Sequence, residues 1–520
     1  MRWKDGAAAL SLANLVYLRL WAELLAPAPS SVYWLLTPPK PEHLIALMLN
    51  VLLLGMALWL GVSWLRQKRR WGRRATILAG LAILISLVNS LRTLIGQTGN
   101  SLFLKFVEQR APALGVAVAI LMILGVVFGG VRALRPVYRV LLLLSPFVLL
   151  SFGQAMYRIA TYDPAPMANG APAPRLPDKP PGSPRVIWVI FDEWDQNLTF
   201  PDRPSSLQLP EIDRLRRESL YAPNVRTAAM MTDLSMPALT MGAAADAISP
   251  EGPSELMVNL AGNPTPVPWS RQNNVFREAR ALGFNTAIVG WAIPYCRVLH
   301  ADLTECWWVS GSNQYNSAGD TVPRILIGQP RSLYENIYRS PFGQSLSTHR
   351  HAWTYHLAIG KALEAVRNRG IGLTLIHLPL PHPPYFYNAA DQRDDRADQP
   401  VTGIFNQTQK GYIDALALTD RSIGAIRRAM EQDGVWDSTT LIFSADHPFR
   451  HREALDGKTT SHIVPYIVKM AGHNQPLSCD ASFSALLTEK LILAVLSKEL
   501  RAPEQAEAWL EKRASEFPSR

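Results

Sequence analysis

Residues 185–193 read RVIWVIFDE, and this stretch decides the fold. An unbroken apolar run rich in β-branched and aromatic residues is expected of a strand covered on both faces. Two carboxylates, Asp192 and Glu193, follow it immediately. The pattern recurs downstream. NTAIVG (285–290), LTLIHL (373–378), TTLIFSA (439–445) and HIVPYIVKM (462–470) read as further strands. Residues 210–220, 275–282 and 411–433 read as helices. Alternating strands and helices of this kind predict an α/β domain with a mostly parallel central sheet, spanning 185–520. In such sheets ligands gather outside the carboxyl ends of the strands.

Upstream the composition changes. The 520-residue chain carries a net charge of +10. Residues 1–160 hold 17 Lys and Arg against 4 Asp and Glu, so the positive charge belongs to the apolar first third. That is the signature of membrane loops rather than of a nucleic-acid-binding face. Five apolar stretches are long enough to cross a bilayer: 9–27, 43–65, 75–94, 112–133 and 138–157. The first carries Arg19 and Glu23, and no small-residue cleavage site follows it, so a cleaved signal peptide is not expected. The basic loops 66–74 (RQKRRWGRR) and 132–139 mark the cytoplasmic side. With the N-terminus on that side, a transmembrane domain of about five helices (1–160) puts everything later outside the cytoplasm. Residues 97–111 are expected to lie along the outer interface. The proline-rich stretch 161–184 reads as an extended linker.

The chemistry-bearing residues cluster at strand ends. Asp192 and Glu193 follow one strand, Asp446 and His447 another, His377 and His382 lie at a third, and His462 opens a fourth. Carboxylate and imidazole donors together suit a divalent metal, zinc or manganese. Taken singly, each has a structural alternative as a helix cap or a satisfied polar residue. A hydroxyl-rich segment, TAAMMTDLSMPALTMG (227–242), supplies a nucleophile candidate. Thr232 reads as a helix cap or as a nucleophile at a helix start, where backbone N–H groups favour an anion. Cys296 and Cys306 are close enough in sequence to pair outside the cytoplasm, leaving Cys479 over; three free thiols are the alternative.

Several blocks resemble the sulfatase branch of the alkaline-phosphatase superfamily. They are LPEIDRLRRESLYAPNV (209–225), FREARALGFNTAIVGW (276–291) and GYIDALALTDRSIGAIRRAMEQDGVWDSTTLIFSADH (411–447). The pattern Thr232-x-x-Ser235-x-Pro237 and the histidine pair His377/His382 are similar to membrane-anchored phosphoethanolamine transferases, with lipoteichoic acid synthases the next relatives. The resemblance implies a metal held by Asp192, Thr232, Asp446 and His447. It implies Thr232 as nucleophile, His382 and His462 as acid–base or phosphoryl-binding groups, and Glu193, Ser235 and His377 as substrate-binding or supporting residues. Thr232 stands where a sulfatase has the Cys or Ser that becomes formylglycine, which disfavours that chemistry.

The implied activity is transfer of a phospholipid headgroup, phosphoethanolamine- or phosphoglycerol-like, to a glycan or lipid acceptor at the cell envelope. The enzyme would sit in a bacterial inner membrane with its catalytic domain in the periplasm. Two alternatives stay open: a membrane-anchored phosphodiesterase or sulfatase-like hydrolase, and a non-catalytic lipid- or glycan-binding protein.

Overall fold

The computed structural model describes residues 3–25, 39–67, 135–164, 168–311, 319–335, 346–394 and 409–516. The chain divides into two compact units. One comprises the N-terminal helices with residues 313–341, and the other holds most of 164–312 and 342–520.

The second unit is built on an eight-stranded sheet. Val186–Phe191 lies inside it, paired in parallel with Leu373–Leu378 on one side and Thr440–Ala445 on the other. Thr286–Trp291 and Glu305–Val309 continue the parallel part, and Tyr466–Lys469 adds an antiparallel strand beyond Thr440–Ala445. Every residue of Val186–Phe191, Leu373–Leu378 and Thr440–Ala445 is buried, as two-sided coverage requires. Leu346–Ala365, Gln409–Gln432 and Pro210–Arg217 pack together as one helical layer. Thr232–Met241, Val275–Ala281 and Leu487–Leu496 pack together as another.

The expected run 462–470 is two strands in two sheets. Ile463–Val464 pairs with Val225–Arg226 in a small three-stranded sheet, while Tyr466–Lys469 joins the main one. Pro465 separates them. It has no N–H to give a ladder, so it stands where the chain changes partners.

A buried arginine ties the start of the central strand to its neighbours. Arg185 donates from Nη2 to the carbonyls of Ala365, Val366 and Asn368, from Nε to Ile371, and from Nη1 to the Thr439 hydroxyl. The first two are terminal carbonyls of the Leu346–Ala365 helix, where a cation also meets the negative helix end. Burial holds the Arg185 guanidinium down at about 10, still charged at neutral pH.

The proline-rich linker is extended, but it is not a free spacer. Gly170 and Ala173 donate to Cys296 and Leu303 carbonyls, and Leu176 exchanges two bonds with the Asn285 side chain. Cys296 and Cys306 form a disulfide, and Cys479 is a buried free thiol.

In the first unit, Pro41–Trp64 and Arg135–Ala160 are long and apolar enough to span a membrane. Over the expected 9–27 span lie two helices, Trp3–Val16 and Leu18–Leu25, bent by 62°, which together are long and apolar enough to form one broken span. Arg19 and Glu23 pair at 3.0 Å on the second of them, both buried. Expected spans 75–94 and 112–133 and the interfacial segment 97–111 lie outside the described residues. A second departure is Val322–Glu335. It belongs with the N-terminal helices, although the sequence places it inside the expected 185–520 domain.

Arg185→Ala leaves four carbonyls, two buried and two part-buried, without this donor. It is expected to destabilise the α/β unit by about 3 kcal/mol. Arg185→Lys should recover less than half of that, since an ammonium cannot reproduce the fork. Denaturant unfolding followed by tryptophan fluorescence checks both.

Candidate active site

Strand register builds the site. Phe191 lies level with both Ala445 and Leu378. The next residues along two adjacent parallel strands are therefore Asp192 and Asp446, side by side at the carboxyl edge. His377, level with Ile190, faces the same place from the third strand. One ligand atom from each of Asp192, His377 and Asp446 lies within 4.8 Å of the others, and all three residues are buried. Asp192 Oδ1, Asp446 Oδ2 and His377 Nε2 have no hydrogen-bond partner in the protein.

The opposite edges of these groups are tied down. Asp446 Oδ1 accepts from the His447 and Glu193 backbone N–H groups at 2.7 and 3.2 Å. His377 Nδ1 meets the Tyr295 hydroxyl at 2.9 Å. His447 Nδ1 donates to the Pro448 carbonyl at 3.0 Å, which leaves Nε2 as the free acceptor, 3.6 Å from Asp192 Oδ1 and 3.5 Å from Asp446 Oδ2. Outer bonds that orient each donor while leaving one atom free are how proteins hold a metal. Burial, then the neighbouring Asp446 and Glu193 carboxylates, push Asp192 well above the usual carboxylate range. Burial lowers His377 to about 4, so its ring is neutral, as a ligand must be. Two buried carboxylates facing each other are stabilised by a divalent cation between them, and the donor set fits one.

Thr232 opens the Thr232–Met241 helix, but it is not the cap. Met231 is the N-cap residue and makes no side-chain capping bond. The Thr232 hydroxyl, 6% exposed, lies 3.3 Å from Asp192 Oδ2 and 3.2 Å from His447 Nε2. The reading of Thr232 as a simple cap is thereby corrected. Its side chain reaches the carboxylate group rather than its own helix. Ser235, one turn on, is fully buried and donates to the Asp446 carbonyl at 2.5 Å. The helix ends on Gly242 in the left-handed conformation, φ 61°, a position glycine fills without strain.

Glu193 is held in an unusual backbone conformation, φ 64°, which costs a side-chain-bearing residue about 1 kcal/mol or more. Its carbonyl accepts from Tyr412 and its carboxylate from Arg450, whose Nε and Nη2 lie 2.7 and 2.6 Å away. Arg450 is therefore paired with Glu193. His382 donates its Nδ1 to the Pro383 carbonyl, and its ring packs 5.3 Å from Trp291. Burial lowers its pKa. His462 departs from expectation. Its side chain is exposed, and it serves the site through its carbonyl, which accepts from Thr227. The ladder begins one residue later, at Ile463, so no strand pairing holds the His462 ring.

Sequence reasoning missed two supports. Tyr295 orients His377, and Thr227 donates to the Asp446 carbonyl at 2.8 Å. Nothing local to Tyr295 signals this. The nearest clue is Gly290, where a Cβ would fall 2.4 Å from the Tyr295 ring. Only a bare backbone lets that ring pass under the strand to His377.

These features define a buried metal-type centre with a nucleophile candidate at the carboxyl edge of a parallel sheet. The sulfatase family model matches residues 364–491, which contain Asp446, His447 and His377. Over that stretch the chain is similar to the sulfatase family, which supports a sulfatase-like enzyme. Among solved structures, a phosphonate monoester hydrolase of Agrobacterium radiobacter is 14% identical, covering 60% of this chain and 74% of its own, with a TM-score of 0.39. A sulfatase from Pseudoalteromonas sp. is 14% identical over 61% of this chain and 69% of its own, TM-score 0.40. A protein of the alkaline phosphatase superfamily from Vibrio parahaemolyticus is 13% identical over 66% and 75%, TM-score 0.38. Likenesses this distant say nothing about activity. No curated protein matches the chain.

Asp446→Asn and His377→Ala are each expected to lower bound divalent metal by about tenfold or more in affinity, through loss of a ligand. Tyr295→Phe should cost less than either, because it removes an orienting bond only. Elemental analysis of purified, folded protein after equilibration with zinc or manganese checks the order.

Proposed function

We propose that this protein is a metal-dependent phosphotransferase that moves a phospholipid-derived headgroup, phosphoethanolamine- or phosphoglycerol-like, to a hydroxyl of an envelope glycan or lipid. The observation that carries the reading is the Thr232 hydroxyl, held between Asp192 and His447 at the first turn of a helix. Asp192, Asp446, His447 and His377 would hold the metal, with Thr232 at its edge. A divalent ion bound there lowers the pKa of a nearby hydroxyl and offsets charge on phosphoryl oxygens.

The protein's own groups supply the rest. Thr232 Oγ1 attacks phosphorus in line; the Oγ1–P bond forms as the bond to the lipid alcohol breaks, and the hydroxyl proton leaves with that alcohol by way of solvent. The positive end of the Thr232–Met241 helix offsets charge on the phosphoryl oxygens. In the second half-reaction the acceptor hydroxyl attacks the phosphothreonine; the acceptor O–P bond forms as the Thr232 Oγ1–P bond breaks, and Thr232 regains a proton by way of solvent. His382 takes the acceptor's proton at Nε2, which is unprotonated because Nδ1 carries the hydrogen given to Pro383. Threonine at 232 offers no route to formylglycine, which favours phosphoryl over sulfuryl chemistry.

Two further features support a membrane substrate. Pro41–Trp64 and Arg135–Ala160 suit a membrane, and the basic segment 66–74 places the Pro41 end outside the cytoplasm. We infer a bacterial inner-membrane protein with its α/β unit in the periplasm, drawing its donor from the outer leaflet. A second reading keeps the same site with water as acceptor. Asp192 favours it, since the resembling transferases carry Glu at that place.

Intact-mass analysis after incubation with a membrane lipid extract is expected to show one headgroup phosphate added at Thr232. Thr232→Ala should lose the adduct and at least about 10³-fold in turnover while remaining folded. Full activity in a folded Thr232→Ala protein would falsify the mechanism. Free headgroup without a modified acceptor would assign the hydrolase instead.

A further inference from the structure

The segment Val322–Glu335 lies between strands of the α/β unit in sequence, yet it packs beside Pro41–Gln67. Its buried positions are Ile325, Gly328, Gln329 and Ser332, spaced to form one helical face. Ile325 packs on Ala46, both fully buried, with Val322 and Leu326 around them. One turn along both helices, Asn50 Nδ2 donates to Gln329 Oε1 at 2.9 Å, and Gln329 Nε2 donates to the His43 carbonyl at 3.0 Å. Ile325 and Gln329 therefore both meet the 43–50 stretch of Pro41–Gln67.

That pairing fixes depth. Pro41–Trp64 is a candidate span, and at 1.5 Å per residue Asn50 lies about 13 Å along it from Pro41, approaching half of a ~30 Å hydrocarbon layer. A helix packed against residues 43–50 shares that depth. Asn50 gives an amide hydrogen to Gln329, and Gln329 gives one to the His43 carbonyl, as polar groups at such depth need partners. The helix leaves Ile327 73% exposed, and the partner helix leaves Leu49, Leu52 and Leu53 exposed as well. Apolar exposure on both helices is what a lipid-facing surface shows.

We propose that Val322–Glu335 is a membrane-embedded element, docked on Pro41–Gln67 through the Asn50–Gln329 pair. Its outward face, centred on Ile327, contacts lipid in the leaflet that Pro41 enters. The partner of this surface is the bilayer itself, as a continuation of the exposed apolar side of the span. The proposal rests on Pro41–Trp64 being a span and is independent of the chemistry at Thr232.

The native cysteines leave a clean background, since one pair is oxidised and Cys479 is buried. Nitroxide labels at Ile327→Cys, Leu52→Cys and Glu511→Cys are compared in full-length protein reconstituted into phospholipid vesicles. Collision with oxygen reports lipid, and collision with a water-soluble nickel chelate reports water. The expected result is an oxygen-dominated ratio at Ile327 and Leu52, and a chelate-dominated ratio at Glu511, on the exposed side of Pro503–Glu516. Ile327 behaving like Glu511 overturns the lipid contact. A chelate-exposed Leu52 overturns the span and the proposal with it, leaving the Thr232 adduct as a separate measurement. Docking is tested by an Ala46→Cys, Ile325→Cys pair, expected to cross-link on mild oxidation in the same vesicles. A protein that is inserted and folded but gives no cross-link overturns the docking.

Discussion

Two aspartates on adjacent parallel strands impose the constraint on which the site depends. The register of Val186–Phe191 with Thr440–Ala445 brings Asp192 and Asp446 together in a place with almost no water. Like charges in that setting repel strongly. The surroundings answer from several directions. Backbone N–H groups bond one oxygen of Asp446, and the neutral His377 ring turns its free nitrogen inward. Arg450 holds the third carboxylate, Glu193, by its own fork. What remains unanswered is one oxygen on each aspartate, and that remainder is the shape of a cation.

The nucleophile candidate belongs to the same arrangement. The Thr232–Met241 helix is held against the strand end by Ser235, whose hydroxyl bonds the carbonyl of the very residue that offers a ligand oxygen. Thr227 bonds that carbonyl too. The residue preceding His447 is thus tied to the segment leading into the helix and to the helix itself. Position of the hydroxyl and position of the carboxylate are therefore set together.

Much of this was legible in the chain. The strands at 185–191, 373–378 and 439–445 could be read because full burial demands continuous apolar runs. The residues just after them could be singled out because parallel strands present their ends at one edge. The resemblance in 411–447 agrees with a family match over 364–491. Other features were not legible. Tyr295 meets His377 from a distant part of the chain, and no local pattern encodes such a contact. His462 looked equal to the other histidines, but its place one residue before a short strand leaves its ring outside. Val322–Glu335 carries a mixed composition that resembles any surface helix. Its association with Pro41–Gln67 rests on an amide pair 279 residues apart.

Ser235 carries one last consequence. It offers a second hydroxyl one turn from Thr232, on the same helix and in the same buried setting. Its hydrogen is already given to the Asp446 carbonyl, and its oxygen is directed along that bond. Near the carboxylates the helix therefore displays two alcohols, of which one is chemically silent. Under the proposed mechanism a substrate at this edge would meet a single point of attachment, and the modified enzyme would be one species rather than a mixture.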